Sequence, residues 1–231
     1  MVPIVLVHGI RANAGAWATY DFGLAVDLPG HGKRLGDTFT MSSAVSVVSD
    51  AIDALGGKAM VVGHSLGGYV SMATAAAHPS RVAGLVVAGA TAIPSRAATS
   101  PFLVIHKVLS SLPDGGDALT RRILNSVLPP DVAKFATTGP FATSAMPSVV
   151  AALRTFDPLS AVASYAGPTW FVNGGHDHLR LHERKFLATA PDGRLVVIPG
   201  AGHYLPMTHP ALFARHVRDA AAVVESKRDW T

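Results

Sequence analysis

Short, uninterrupted apolar runs recur along this chain, each followed by a turn and then by a pattern of helical period. The runs fall at residues 4–7, 22–26, 59–62, 85–88, 169–172 and 195–198. They are rich in Val, Ile and Leu and do not alternate with polar residues, as expected of strands buried on both faces. Helical patterns at residues 42–55, 66–78, 182–190 and 210–225 separate or follow them. Strands alternating with helices predict an α/β protein, a doubly wound and mostly parallel sheet with helices on both faces. The alternation breaks between residues 92 and 167, where Pro, Ser, Thr and Ala dominate and strand-forming runs are missing. Helical patterns there, at residues 102–112, 117–127 and 148–155, predict an inserted helical cap. The expected organisation is a core of residues 1–91 and 168–231 carrying a cap of residues 92–167.

Composition narrows the function. With 49% hydrophobic and 15% charged residues in 231, the chain can bury a large core and is not a disordered, solvated polymer. Nineteen Lys and Arg against fifteen Asp and Glu are spread without a basic stripe, which argues against a nucleic-acid partner. The absence of Cys excludes disulfides and thiolate nucleophiles. Residues 59–80 lack charged side chains, but glycines interrupt the stretch and Pro79 ends it, so no membrane span is expected. The N-terminal apolar run is too short for a signal segment, and a cytoplasmic location is expected.

The strongest chemical signal is Gly63-His64-Ser65-Leu66-Gly67-Gly68, placed where a predicted strand ends and a predicted helix begins. In that context a G-x-S-x-G presents a serine hydroxyl on a sharp turn, with small flanking residues letting strand and helix approach. The helix N-terminus beneath it offers free N–H groups to a developing anion. Ser65 is the candidate nucleophile.

A serine needs an adjacent base. Of eleven histidines, His203 is the candidate, in a glycine-rich loop after the last predicted strand. His8, His31 and His64 sit in motif loops and read as structural. His78, His209 and His216 sit at helix boundaries or on a helix face, and His106 is a possible substrate contact in the cap. Asp177, after the Gly174-Gly175 turn, can hold the imidazole in one tautomer. The alternative for Asp177 alone is a turn-capping aspartate. His176, His178 and His182 lack a supporting carboxylate ligand, and no metal is expected. Two N–H donors must stabilise the tetrahedral oxygen. Leu66, after the nucleophile, supplies one, and Ile10, in the loop after the first strand, is the candidate for the other. Ile10, Phe102, Leu103, Phe135, Phe141, Met146 and Tyr204 are the candidate substrate contacts.

His8-Gly9-Ile10, Asp27-Leu28-Pro29-Gly30-His31-Gly32, Gly63-His64-Ser65-Leu66-Gly67-Gly68, Gly174-Gly175-His176-Asp177 and Gly200-Ala201-Gly202-His203 stand in one order along the chain. Together they resemble the α/β-hydrolase superfamily, in its small lidded serine esterase-like branch. The resemblance implies acyl transfer to water without a cofactor, on a small hydrophobic ester, thioester or lactone. Carbon–carbon bond hydrolases, perhydrolases and slow-hydrolysing ligand receptors share the Ser-Asp-His set and stay open. Epoxide hydrolases and dehalogenases place an Asp where Ser65 stands. The chain departs from the family at its start: the usual leading hairpin is missing, and only Ala18-Thr19-Tyr20-Asp21 stands for the helix before the second strand. One sheet face is therefore expected to be thinly covered, a reason to expect a homo-oligomer.

Overall fold

Four consecutive buried aliphatic residues form β1 (Ile4–Val7). Such a run can satisfy its backbone only inside a sheet covered on both sides. A computed structural model of the chain, which describes residues 2–228, places β1 in a six-stranded sheet with β2 (Leu24–Val26), β3 (Ala59–His64), β4 (Val82–Ala88), β5 (Pro168–Gly174) and β6 (Asp192–Ile198). The spatial order is β2-β1-β3-β4-β5-β6, and every pairing is parallel. In chain order the helices are α1 (Met41–Ala54), α2 (Leu66–Ala77), α3 (Arg96–Ser110), α4 (Asp117–Val127), α5 (Pro130–Ala136), α6 (Met146–Thr155), α7 (Pro158–Ala163), α8 (Glu183–Thr189), α9 (Leu205–Thr208) and α10 (Pro210–Arg228).

Strand side chains alternate between the two faces, and the core divides accordingly. Val5, Val7, Val61, Leu85, Val87 and Phe171 pack toward α1, α2 and Phe186 of α8. Ile4, Leu6, Met60, Val62, Val86 and Val172 pack toward α10. The split follows from chirality. Steps from β2 to β3, β3 to β4 and β5 to β6 move one way across the sheet, so right-handed crossovers stack their helices on one face. The step from β1 to β2 moves the other way and sends its connection to the opposite face.

That connection is the short helical turn predicted to leave the sheet exposed. The structure corrects this expectation. Trp17 is buried on the α10 face, 5.2 Å from the Tyr20 ring and 6.1 Å from Phe213 between ring centroids. Tyr20 meets Phe22 and Phe213 edge-on, and its hydroxyl donates to the Pro206 carbonyl at 2.6 Å. Aromatic area replaces the missing helix, so this face supplies no reason for self-association.

The helices expected in the core lie within one residue of their predicted bounds, except that α10 runs three residues past the expected end at 225. In the excursion between β4 and β5, α3 begins ahead of the predicted residue 102, because Ser95 caps it by accepting the Ala98 N–H at 3.1 Å. Pro101 falls inside this helix, not ahead of it. The short helices α5, α7 and α9 had no sequence expectation; each has proline in its first turn, which pre-sets φ for a helix start. Ala161 and Val162 of α7, and Tyr165 just beyond it, belong to the core, and the Tyr165 hydroxyl donates to Val82 of β4 at 3.0 Å.

Removing the Trp17 ring should leave a cavity that no neighbouring helix can fill. Trp17→Ala is expected to lower unfolding free energy by about 3–5 kcal/mol, read from urea denaturation. A change below about 1 kcal/mol would show that the aromatic plug is dispensable.

Candidate active site

Ser65 occupies the turn between β3 and α2 with φ 54° and ψ −116°. A non-glycine residue there costs on the order of 1–3 kcal/mol and persists only where its surroundings enforce it. The enforcement is visible. The Ser65 N–H donates to Ala88 of β4 at 2.8 Å, and its carbonyl accepts the Gly68 N–H at 2.9 Å. A Cβ on Gly63 would lie 2.2 Å from the Gly67 oxygen, and one on Gly67 would lie 2.1 Å from the Val7 oxygen. Strand β3, helix α2 and the end of β1 therefore meet backbone to backbone.

His203 reaches this turn from the loop after β6, and Asp177 from the loop after β5. His203 Nε2 lies 3.1 Å from Ser65 Oγ, and Nδ1 lies 3.1 Å from each carboxylate oxygen of Asp177. An ionised carboxylate can only accept, so Nδ1 carries the proton and Nε2 is free to accept from the hydroxyl. The Asp177 side chain is 1% exposed. Burial alone would raise its pKa, but the hydrogen bond and charge of His203, the Leu179 N–H at 2.8 Å and the charge of His178 prevail and hold it below the ordinary value. Such an arrangement can draw a proton from the hydroxyl and stabilise the resulting imidazolium.

The motif-loop histidines brace this assembly. His64 Nε2 donates to the His203 carbonyl at 2.8 Å, fixing the backbone beneath the imidazole. His8 Nε2 accepts the Leu28 N–H at 3.1 Å, so its proton sits on Nδ1, which donates to the Gly9 carbonyl at 2.8 Å. Burial drives both histidines down to about 3 and keeps them neutral. His31, also buried, donates from Nδ1 to the Pro29 carbonyl at 2.9 Å. Asp27 accepts the N–H groups of Ala14 at 2.7 Å and Lys33 at 3.0 Å, joining two loops.

Two groups of residues had no sequence signal. Gly89, just after β4 and with φ 59°, leaves room for the His203–Asp177 contact; a Cβ there would lie 2.9 Å from Asp177 Oδ2 and 3.1 Å from His203 Nδ1. The loop bearing Asp177 is pinned by Arg180, which donates to both oxygens of Glu183 at 3.1 and 2.6 Å and to the Gly175 carbonyl at 3.0 Å. Asn173 donates to Glu183 at 3.0 Å and to Thr91 at 2.9 Å.

A cavity opens over Ser65, walled by Ile10, Leu66, Tyr69, Phe102 and Leu153. A second hollow shares Ile10 and Phe102 with it and adds Phe141, Met146 and Tyr204. The sequence candidates Ile10, Leu66, Phe102, Phe141, Met146 and Tyr204 thus gather around Ser65 or in the hollow next to it. Two others do not. Phe135 is 40% exposed on α5 and lines a separate surface hollow with Gly15 and Lys33. Leu103, on α3, lines none of these hollows. Helical geometry gives the reason, since Phe102 and Leu103 are about 100° apart on one helix and cannot both face the same cavity. His106 Nδ1 donates to the Thr143 carbonyl at 3.0 Å. His182 accepts the Ile93 N–H at 3.2 Å.

Residues 4–216 match the alpha/beta hydrolase family. The pimeloyl-[acyl-carrier protein] methyl ester esterase of Edwardsiella ictaluri is 30% identical, over 91% of this chain and 89% of that protein. Among solved structures, E-2-(acetamidomethylene)succinate hydrolase superposes with a TM-score of 0.81 at 23% identity, over 96% of this chain and 91% of the other. A thermophilic esterase from Thermogutta terrifontis gives 0.76 at 22% identity, over 97% and 90%. The chain belongs to the alpha/beta hydrolase family and is a hydrolytic enzyme. Among the described residues, no helix is long and apolar enough to cross a membrane.

The buried histidines make stability depend on pH. Their folded pKa values lie below the unfolded value of 6.5. Below pH 6.5 the unfolded chain therefore binds protons that the folded chain refuses, and stability falls as pH drops, by up to about 1.4 kcal/mol per pH unit for each group. Asp177, with its folded pKa depressed, adds a loss only as pH falls below the ordinary carboxylate value of 3.8. Urea midpoints should decline between pH 6.5 and 4.5, where Asp177 contributes little. A flat midpoint across that window would contradict neutral burial of these imidazoles.

Proposed function

We propose that this enzyme hydrolyses small carboxylic esters with a hydrophobic acyl or alkyl group through an acyl-enzyme on Ser65. His203 Nε2 takes the Ser65 proton as Oγ attacks the ester carbonyl. The N–H groups of Ile10 and Leu66 hold the tetrahedral oxygen. Leu66 is the first residue of α2, so its N–H has no carbonyl one turn earlier within the helix. As the intermediate collapses, the ester C–O bond breaks and His203 returns the proton to the departing alkoxide. Water then attacks the acyl-serine, giving its proton to His203, and Ser65 leaves with that proton as the acid is released. Asp177 keeps the Nδ1 proton in place and offsets the positive imidazole at both stages. Thioesters and lactones fit the same sequence of steps.

The observation that carries this reading is the single imidazole lying 3.1 Å from the Ser65 hydroxyl on one side and 3.1 Å from the Asp177 carboxylate on the other. The apolar walls, Ile10, Leu66, Phe102 and Leu153 among them, support a hydrophobic substrate.

Ser65→Ala should abolish ester turnover without changing the circular dichroism spectrum, and retained activity would reassign the nucleophile. Asp177→Asn should lower kcat by about 10⁴-fold through the wrong imidazole tautomer. Among 4-nitrophenyl esters of two to twelve carbons, short to medium acyl chains should give the highest kcat/KM. A preference for sugar esters would reject the hydrophobic pocket.

A further inference from the structure

Among the described residues, only two that are not glycine have a positive φ: Ser65, and Arg11 at 62°. Strain of this kind concentrates at functional sites, and Ser65 lines one cavity while Arg11 lines the hollow next to it. Arg11 follows Ile10 directly. It is the one charged residue lining the hollow that adjoins the Ser65 cavity, in a wall otherwise built of residues such as Phe102, Phe141, Met146 and Met207.

The guanidinium is oriented by neutral hydrogen-bond partners. Nη2 donates to Thr120 Oγ1 at 2.6 Å and Nε to Thr143 Oγ1 at 3.3 Å, and the charge lies 5.6 Å from the Phe141 ring centroid. Both hydrogen-bond partners are uncharged. Asp117 and Tyr204 act on the charge through space, but Asp117 is spent on the Phe141 N–H, which it accepts at 3.2 Å, and among the described residues it makes no ion pair with Arg11. Nη1 has no hydrogen-bond partner among the described residues. A planar donor fork held half-buried, with one amino group free, suits a carboxylate. A cation half-buried beside mostly apolar walls and without a direct ion pair is stabilised when an anion joins it.

We propose that Arg11 binds a carboxylate at the far end of the acyl chain, so that the substrates are monoesters of aliphatic dicarboxylic acids. The ester carbon sits at Ser65, the methylene chain runs past Ile10 and Phe102, and the terminal carboxylate meets Arg11. This rests on the ester-hydrolase reading above and specifies its substrate class.

Monomethyl esters of succinic to suberic acid, compared with methyl esters of monocarboxylic acids of matched length, test it in the full chain. The native enzyme should favour the monoanions at one or two chain lengths. Arg11→Met should cost those substrates about tenfold or more in kcat/KM, as expected for a lost charged hydrogen bond, and leave the neutral esters nearly unchanged. Arg11→Lys and Thr120→Val retain the charge and should retain the preference for anions. Equal losses on both substrate classes in Arg11→Met would make Arg11 a structural tie to the cap and overturn the proposal, as would a native enzyme indifferent to the terminal charge. Calorimetric titration of Ser65→Ala with glutarate, with and without Arg11→Met, reads the anion site without turnover. Fluorophosphonate labelling of the native protein reads Ser65 alone. Glutarate binding that depends on Arg11, with no labelling of Ser65, would sink the ester-hydrolase reading and keep the anion site. Labelling of Ser65 with glutarate binding unaffected by Arg11→Met would do the reverse.

Discussion

Three backbone segments in this molecule come closer than any side chain permits. The Gly63–Gly67 contact sets strand β3 against helix α2, and the Gly67–Val7 contact sets the same helix against the end of β1. The left-handed turn at Ser65 is the outcome of that meeting, with its N–H spent on β4. Other features follow from it. Because α2 starts against β1, the loop that leaves β1 must run beside the helix N-terminus, and Ile10 and Leu66 come to wall the same cavity. Because the last carbonyl of β4 accepts the Ser65 N–H, the glycine just after the strand is brought under the His203–Asp177 contact. The strain at one residue is held by a sheet of parallel strands whose register leaves little freedom at their carboxyl ends.

Neutral imidazoles hold the loops at that edge. His64 and His8 are each buried with both polarity and shape used, one donating to the His203 backbone and the other linking the first loop to Leu28. A histidine offers a rigid ring with a donor, an acceptor or both, and burial keeps it uncharged. The arrangement is stiff at neutral pH and is weakened by acid, because protonation removes an acceptor and places a charge in an apolar setting. The His203 imidazole, by contrast, stands between a hydroxyl and a carboxylate, where a charge can be accommodated.

The residues around Ser65 were legible because each sits at a punctuation mark. Ser65, Asp177 and His203 follow apolar strands and are flanked by glycines, and a parallel α/β sheet delivers the ends of its strands to one edge. What that logic leaves out is set by packing that sequence does not display. Gly89 reads as an ordinary glycine at a strand end until the carboxylate beside it is seen. Trp17 reads as an isolated aromatic in a shortened connection, whereas Tyr20, Phe22 and Phe213 close over it from places far apart in the chain. In the cap the helical period predicted α4 to the residue, yet it could not say which face turns inward, so Phe102 and Leu103 were indistinguishable and Phe135 was assigned to a cavity it does not touch. Apolar positions on small helices pack on each other as readily as on a ligand.

The segment from His8 to Trp17 ties the sheet edge to the helices between β4 and β5, and its chemistry explains why so short a connection suffices. Arg11 is tied to Thr120 and Thr143 of the cap region, Asn13 donates to the Thr138 carbonyl at 3.1 Å, Ala14 donates to Asp27 behind β2, and Trp17 is buried in the core. A full helix would place these residues on one rigid axis, facing one layer. An irregular loop can send successive side chains in different directions, toward the cap, the sheet edge and the aromatic cluster. Ile10, which walls the Ser65 cavity, and Arg11, bonded to Thr120 and Thr143, are neighbours in sequence, so one loop serves the cavity and the helices above it with successive side chains.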